Sequence, residues 1–313
     1  MKYSRVLVTG GAGFIGSHLV DALVKNGVTI RVIDDLSSGF KQNLEHLDKI
    51  EFIEEDISKL DVIQKVVSDI DIIFHIAANA SVPMSVENPT LDYMSNMTGT
   101  FNLLKTCLDS EVKKIVYASS AAIFGEPKYL PINEEHSKMP ISPYGASKLA
   151  AELYGFAFQE TYGIKFTSLR IFNAIGPRQP RYVIFDFLNK LKKDNSNLDI
   201  LGTGKNIRDF IYVGDVVKIF IDCAEKAISD GEAYNLGTGV GISITELAIK
   251  ILKELNLNNT KLTYTGFSWK GDILKLISNP NKLKKDLNIK KFTPLSEALS
   301  DEINWFQQKI GKI

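Results

Sequence analysis

The fold is decided near the start of the chain, by the stretch Val6-Leu7-Val8-Thr9-Gly10-Gly11-Ala12-Gly13-Phe14-Ile15-Gly16-Ser17-His18. An apolar run is followed by glycines at every third position and then by a helical pattern. This order predicts a strand that turns sharply into a helix, with glycines where the backbone must approach a ligand closely. Amide groups at the start of such a helix favour a pyrophosphate. The expected contacts come from Gly10, Gly13, Phe14, Ile15 and Gly16.

Short apolar runs alternate with helical stretches through the first half of the chain. The predicted buried strands are Arg5–Thr9, Thr29–Asp34, Glu51–Glu54, Ile72–His75, Lys114–Ser119 and, after a long helix at about Tyr144–Tyr162, Phe166–Phe172. Strands that alternate with helices predict a parallel sheet with right-handed crossovers. The expected fold class is therefore α/β, a doubly wound parallel sheet.

Beyond Asn173 this alternation weakens, so we expect a second, smaller domain to begin there. The larger domain is predicted to comprise residues 1–172 plus about 209–238, with Phe210–Val213 and Ala233–Gly237 returning to the sheet. The smaller, discontinuous C-terminal domain would comprise about 173–208 plus 239–313. An amphipathic helix is predicted there at Ser243–Leu255.

Asp34 ends the second predicted strand, downstream of the glycines. A carboxylate at this place binds ribose hydroxyls and repels a 2′-phosphate, so a Rossmann unit that prefers NAD over NADP is expected. The alternative is that Asp34 and Asp35 only cap a turn. Residues at other strand ends should also face the cofactor, namely Asp56, Ile57, Ala77, Ala78 and Ser119. His75 alone is more typical of a structural histidine than of a catalyst.

Tyr144 and Lys148 lie one helical turn apart in the predicted long helix. Bringing a phenol pKa from ~10 to ~7 requires roughly 4 kcal/mol. One ammonium at about 4 to 5 Å supplies a similar amount before burial opposes it. We therefore hypothesise that Tyr144 ionises mainly when an oxidised nicotinamide adds a second positive charge.

Together these motifs resemble the extended short-chain dehydrogenase/reductase family over essentially the whole chain. Within it, the chain is most similar to the UDP-hexose 4-epimerases. The segments that carry this likeness are Asp34–Gly39, Asn96–Thr100, Leu169–Asn173 and Arg208–Val213, besides Ser120 and the pair Tyr144 and Lys148. The resemblance implies NAD-dependent 4-epimerisation of a UDP-hexose through a transient 4-keto sugar, and a homodimer formed by helices at about Asp92–Ser110 and Tyr144–Tyr162.

The resemblance also implies roles for individual residues. Tyr144 would be the base, Ser120 would hydrogen-bond the reacting oxygen, and Lys148 would anchor the nicotinamide ribose. Further cofactor contacts would come from Asp35, Ser38, Gly39 and Asn96. The smaller domain would bind the nucleotide sugar through Asn173, Arg208, Lys270, Asp272 and Leu276. Alternatively, Asn173 only caps a strand and Arg208 only pairs with Asp209 or another carboxylate.

Two departures separate this chain from related families. Ala121-Ala122 follow the serine where 4,6-dehydratases carry an Asp-Glu pair and UDP-glucuronate decarboxylases a glutamate, which favours simple epimerisation. The epimerases' arginine before Gly-Asp is missing from Trp269-Lys270-Gly271-Asp272. Leu276 stands where glucose-restricted members carry tyrosine, so UDP-GlcNAc and UDP-GalNAc are expected substrates alongside UDP-Glc and UDP-Gal. Remaining alternatives are a net dehydrogenase or reductase, a UDP-glucuronate epimerase or decarboxylase, and a non-catalytic NAD-binding sensor.

Composition excludes several other classes. Lys+Arg and Asp+Glu are equal at 37 each, which argues against nucleic acid or an anionic membrane as partner. No apolar run is long enough for a membrane span. Cys107 and Cys223 are far apart, as in reduced proteins, and the cytoplasm is the expected compartment. The four histidines are scattered, so no metal site is predicted.

Overall fold

The computed structural model describes residues 2–269 and 271–313. Its strands, numbered along the chain, are β1 (Arg5–Thr9), β2 (Thr29–Ile33), β3 (Ile50–Ile53), β4 (Ile72–His75), β5 (Lys114–Ser120), β6 (Lys165–Ile171), β7 (Asn173–Ile175), β8 (Asn197–Ile200), β9 (Ile207–Tyr212), β10 (Ala233–Leu236), β11 (Gly241–Ser243), β12 (Lys261–Tyr264) and β13 (Lys275–Leu276). Its α-helices are α1 (Phe14–Lys25), α2 (Leu60–Val66), α3 (Val82–Glu87), α4 (Pro89–Asp92), α5 (Gly99–Cys107), α6 (Pro143–Tyr162), α7 (Tyr182–Lys193), α8 (Val213–Glu225), α9 (Ile244–Glu254), α10 (Asn281–Leu287) and α11 (Leu295–Lys309).

Seven parallel strands form the central sheet, in the order β10-β6-β5-β4-β1-β2-β3. From β1 the chain first builds β2 and β3 toward one edge of the sheet. It then returns to the other side of β1 and builds β4, β5, β6 and β10 toward the opposite edge. Successive residues of β1 point into different cores, because Val6 and Val8 pack under α1 and α8 whereas Leu7 packs under α2 and α5. Both faces of the sheet are therefore covered, and the predicted doubly wound α/β fold is confirmed.

A smaller unit contains a four-stranded sheet, in which β9 pairs with β7, β11 and β13, and a separate pair of strands, β8 and β12. Helices α7, α9 and α11 pack around its own apolar core. The prediction that Phe210–Val213 returns to the main sheet is wrong, since most of this run belongs to β9. Phe210 packs in the smaller core and Ile211 in the larger one, so the run is buried on both faces without joining the main sheet. The predicted return of Ala233–Gly237 is confirmed by β10.

Helix boundaries follow local capping. The Ser142 hydroxyl accepts a hydrogen bond from the Gly145 amide at 3.1 Å, and Gly163 ends α6 in a left-handed conformation. The helix predicted at about Asp92–Ser110 is interrupted, since a π-helical turn at Tyr93–Thr98 separates α4 from α5. Such turns are frequent at functional sites. Asn96 lies in this one.

Candidate active site

The glycine turn lies between β1 and α1 and has almost no free space around it. Gly10 has φ +70°, and a Cβ there would be 2.7 Å from backbone atoms of Ala77. A Cβ on Gly16 would be 2.0 Å from the Gly10 carbonyl oxygen. Gly13 caps α1 without a side chain, which leaves the first amides of the helix accessible to an anion.

Asp34 lies beside this turn, and its side chain is buried. One carboxylate oxygen accepts a hydrogen bond from the Ala12 amide and the other from the Leu36 amide, both at 2.9 Å. Burial raises the pKa of Asp34, and these hydrogen bonds oppose the rise. A Cβ on Gly39 would be 2.9 Å from the same carboxylate, so glycine keeps the loop close to Asp34.

Both acids cap a turn, as the alternative interpretation describes, because Asp34 accepts from the Leu36 amide and Asp35 accepts from the amide and hydroxyl of Ser37. Asp56 does the same for the Ser58 amide at 2.7 Å. Ser38 is exposed on the same loop as Asp35.

Other predicted cofactor residues lie at the same edge of the sheet. Ile57 is buried and packs where a Cβ on Gly99 would fall. Ala77 contacts the glycine turn, and Ala78 follows it half-buried. The Ser119 hydroxyl is buried without a hydrogen-bond partner among the described residues. A buried unsatisfied hydroxyl suits a ligand contact.

His75 is held on both sides of its ring. The Thr9 hydroxyl accepts from two backbone amides at 3.1 Å, so it donates its own proton to His75 Nδ1 at 2.7 Å. His75 Nε2 then donates to the Thr100 hydroxyl at 2.8 Å. Burial, followed by the Lys148 charge, lowers the pKa of His75 to about 3. The ring is neutral and fully bonded, as a structural histidine is.

Tyr144, Lys148 and Ser120 come together at the ends of α6 and β5. The Lys148 ammonium donates to the Ala118 carbonyl at 2.8 Å and lies 4.8 Å from the centre of the Tyr117 ring. Burial lowers the pKa of Lys148 to about 7. Ser120 hydrogen-bonds the Tyr144 phenol, which lowers its pKa, but burial raises the pKa of Tyr144 overall. The protein alone therefore does not ionise this phenol, as the hypothesis of a second positive charge requires.

Asn96 belongs to a network that sequence reasoning missed. Its Oδ1 accepts from the Asn79 amide at 2.8 Å, and its Nδ2 donates to Asp92 at 2.9 Å and Ser147 at 3.1 Å. The Ser147 hydroxyl also donates to Asp92 at 2.7 Å. Asp92 and Asn96 are four residues apart, so a polar pair on one face of a predicted helix was the available signal.

The residues predicted to bind the nucleotide sugar form hydrogen bonds and an ion pair within the protein. The Asn173 amide group donates to the Asp209 carbonyl at 3.0 Å. Arg208 forms an ion pair with Asp272 at 2.5 Å. The alternative in which Arg208 pairs with a carboxylate therefore holds in part, with Asp272 rather than Asp209 as partner. Lys270 lies outside the described residues.

Leu276 lies in β13, opposite Arg208 in the register. Its side chain is buried in a cluster with Ala121 and Phe124, against half-buried Phe172. This cluster places Leu276 next to the residue that follows Ser120, close to the predicted sugar site.

A further pair of residues was not predicted. Tyr182 has φ +74° at the start of α7, and its hydroxyl donates to the Ala80 carbonyl at 2.5 Å. It therefore bridges the smaller unit to the loop after β4. Tyr182 raises the pKa of Tyr144, whereas Arg181 lowers it. No sequence motif marks either residue, because only the fold brings them to the Tyr144 phenol.

These residues fit NAD. The glycine cradle, the Asp34 carboxylate and the unsatisfied Ser119 hydroxyl lie along one edge of the sheet, where doubly wound folds bind dinucleotides. Within the described residues, no helix combines the length and apolar character needed to cross a bilayer.

Comparisons with known proteins agree with this geometry. Residues 6–237 match the NAD dependent epimerase/dehydratase family. A putative UDP-glucose 4-epimerase from Methanocaldococcus jannaschii is 37% identical over 308 residues, which cover 96% of this chain and 98% of that protein.

Two solved structures are similar over nearly their whole lengths. The crystal structure of UDP-glucose 4-epimerase with UDP-glucose from Thermotoga maritima has a TM-score of 0.92 at 37% identity, covering 98% of this chain and 99% of that one. The UDP-N-acetylglucosamine 4-epimerase from Methanobrevibacter ruminantium, in complex with UDP-N-acetylmuramic acid, has a TM-score of 0.91 at 34% identity, covering 99% and 100%. The predicted fold, NAD cofactor and resemblance to epimerases are confirmed, and the chain belongs to the NAD dependent epimerase/dehydratase family.

Proposed function

We propose that the protein interconverts UDP-hexoses that differ at C4, through a transient 4-keto sugar, with NAD held by the glycine turn and Asp34. The observation that carries this proposal is the meeting of Tyr144, Lys148 and Ser120 beside the NAD cradle. The named relatives support the same activity.

The chain's own residues supply the acid–base chemistry. The Tyr144 oxygen takes the proton of the sugar 4-hydroxyl and returns it at the end of the reaction. Ser120 donates a hydrogen bond to the reacting oxygen, and the Lys148 ammonium stabilises the phenolate. When bound, NAD would supply the redox chemistry, as a hydride acceptor in its oxidised form and a hydride donor in its reduced form. Asn173 and Arg208 hold the nucleotide diphosphate, for which a guanidinium is geometrically suited.

Ala121 and Ala122 follow Ser120 and provide no acid or base. Their methyl groups cannot protonate a leaving group or take part in elimination, so the ketone returns to a hexose. This supports epimerisation over dehydration or decarboxylation.

The first experiment asks whether turnover needs added cofactor. Purified protein is incubated with UDP-Glc or UDP-GlcNAc without NAD, and the sugars are resolved by chromatography. We expect each to be converted to its C4 epimer, and denatured protein to release NAD at near-unit stoichiometry. A net dehydrogenase would need added NAD for each turnover, and a sensor would convert nothing.

A matched pair of variants tests the catalytic phenol. Tyr144→Phe keeps the ring and removes the base, so we expect turnover to fall by about 10²- to 10⁴-fold. Tyr162→Phe, at the exposed end of the same helix, is the control and should keep wild-type turnover. Equal activity of both variants would exclude Tyr144 as the base.

We further propose that acetamido sugars are substrates, because Leu276, which packs in one cluster with Ala121, is smaller than the tyrosine of glucose-restricted members of the family. Steady-state rates on UDP-Glc, UDP-Gal, UDP-GlcNAc and UDP-GalNAc test this. If the acetamido pair shows no turnover, and Leu276→Ser gains none, the proposal fails.

We also propose a cytoplasmic homodimer. Large apolar side chains are exposed on the π-helical turn, α5 and α6, among them Tyr93, Phe101, Leu153 and Tyr154. Exposed apolar surface of this kind is typical of an interface. Cys107 and Cys223 are buried free thiols, which suits a reducing compartment. Sedimentation of the wild type and of Leu153→Glu tests the dimer, which the charged variant should dissociate.

We also propose a division of labour between the two units. The unit built on the central sheet would hold NAD, and the unit around β7, β9, β11 and β13 would hold the nucleotide sugar. Strand β9 itself contributes Arg208 to the smaller unit.

A further inference from the structure

Asp92 is a buried acid that the proposed chemistry does not use. It ends α4 with a side chain that is 1% exposed, and it has no ion-pair partner within 4 Å among the described residues. Burying a carboxylate without a paired cation is costly unless hydrogen bonds satisfy it. Such a residue calls for a functional explanation.

Three polar side chains surround the Asp92 carboxylate. Its Oδ2 accepts from the Ser147 hydroxyl at 2.7 Å, and its Oδ1 accepts from Asn96 at 2.9 Å and lies 3.5 Å from the Asn79 amide nitrogen. Asn96 in turn bonds both the amide and the carbonyl of Asn79. Asp92 therefore joins the catalytic helix, at the residue before Lys148, to the loop after β4 beside the NAD cradle.

The same carboxylate acts on the catalytic pair through its charge. Burial lowers the pKa of Lys148, and Asp92 is the group that opposes this by raising it. Asp92 also raises the pKa of Tyr144. Burial raises the pKa of Asp92 itself, whereas Ser147 and Lys148 lower it.

Other titratable groups near this pair are neutral or paired. His75 on β4 is neutral between two threonines, and the buried Tyr117 phenol on β5 has its pKa raised by burial. Glu152, one turn beyond Lys148, is bound by Arg170 at 2.7 Å. Arg181 and Tyr182 act on Tyr144 from the side of α7.

We propose that Asp92 is a positioning residue for the proposed reaction: through Ser147 and Asn96 it holds the catalytic helix against the loop after β4, and its buried negative charge faces the Lys148 ammonium. The proposal rests on the proposed function, since Lys148 must stay protonated to stabilise a Tyr144 phenolate. A carboxylate in this place keeps the ammonium charged without forming an ion pair that would compete with the phenol.

The test is the pH profile of kcat/KM for Asp92→Asn, which keeps the shape and removes the charge. Without the charge the pKa values of Lys148 and Tyr144 both fall, so both limbs of the profile move to lower pH. Relative to wild type, Asp92→Asn should therefore lose activity on the alkaline limb and gain activity on the acid limb, by about tenfold for each pH unit that a limb moves. A purely structural role would lower activity equally at all pH values.

Ser147→Ala is the matched variant, because it removes the hydrogen bond and keeps the charge. We expect lower kcat with an unmoved pH profile. If Asp92→Asn does not fold, wild-type kcat in Ser147→Ala would still refute the positioning link. An unmoved profile in folded Asp92→Asn would refute the role of the charge.

An optical titration separates this proposal from the proposed function. The Tyr144 phenolate is followed in NAD-loaded protein, with Tyr144→Phe subtracted, and Asp92→Asn should lower its apparent pKa. If the wild type converts no UDP-sugar but this shift is seen, the proposed function fails and the electrostatic role of Asp92 stands. If the wild type is an epimerase and neither titration nor profile moves, the role of Asp92 fails.

Discussion

Glu302 offers the sharpest stability prediction. It lies in α11 with a fully buried side chain, and its Oε2 accepts a hydrogen bond from the Gly176 amide at 3.0 Å. Its Oε1 has no partner among the described residues. Burial raises the pKa of Glu302 from 4.5 to about 8, so this carboxyl is protonated in the folded protein at neutral pH.

The sign of the effect follows from linkage. Between pH 4.5 and about 8 the folded state holds a proton that the unfolded chain releases, so stability falls as pH rises. The contribution is fully present below pH 4.5 and fully lost above pH 8. Integrated from pH 5 to pH 8.5, the loss is about 4 kcal/mol.

Glu302→Gln should remove this pH dependence, because the amide resembles the protonated acid and can still accept from Gly176. The free energy of unfolding is measured by urea denaturation at pH 5 and pH 8.5. The difference in free energy of unfolding between variant and wild type should rise by about 4 kcal/mol in the variant's favour from pH 5 to pH 8.5. Comparing the two pH values cancels any change that does not depend on pH.

Glu297→Gln is the control, since Glu297 is exposed in the first turn of the same helix. It removes one carboxylate from α11 without touching the buried site. If the free energy of unfolding of both variants depends on pH as that of the wild type does, Glu302 is not protonated in the folded state and the reasoning is refuted.

Three further predictions concern ligand binding. Gly16→Ala would place a Cβ 2.0 Å from the Gly10 carbonyl oxygen, so we expect the NAD affinity, measured by calorimetry, to fall at least about tenfold. Asp34→Ser removes the charge that repels a 2′-phosphate, and the preference for NAD over NADP in binding should fall by about tenfold or more; unchanged preference would exclude Asp34 from the ribose site. Arg208→Lys keeps a charge beside Asp272 but loses the planar fork, so KM for the UDP-sugar should rise about tenfold at nearly constant kcat in steady-state assays.

Several features of the site were predictable because they are local in sequence. The glycine turn needs only the backbone geometry between one strand and one helix, and Tyr144 and Lys148 share a helix face because they are four residues apart. Asp34 was predictable as a candidate ribose-binding residue because it ends the second predicted strand. In a doubly wound sheet the carboxyl ends of such strands share one edge, so local motifs also predict where they meet.

Other features depended on partners far along the chain. The apolar run of β9 would suit either sheet, and pairing with β7, β11 and β13 decides its place. Asp92 is 55 residues from Ser147, and Tyr182 is 102 residues from Ala80. Separations this long do not correspond to the repeat of a helix or a strand, so no sequence pattern predicts these contacts.

By itself, the sequence determined the parallel α/β fold, the preference for NAD, and the phenol–ammonium pair. These depend on strand alternation, on one carboxylate, and on the pitch of a helix. Only the tertiary structure decided how Asp92, Arg181 and Tyr182 set the electrostatics around Tyr144. Burial and long-range charge control a pKa, and both exist only once distant segments have packed together.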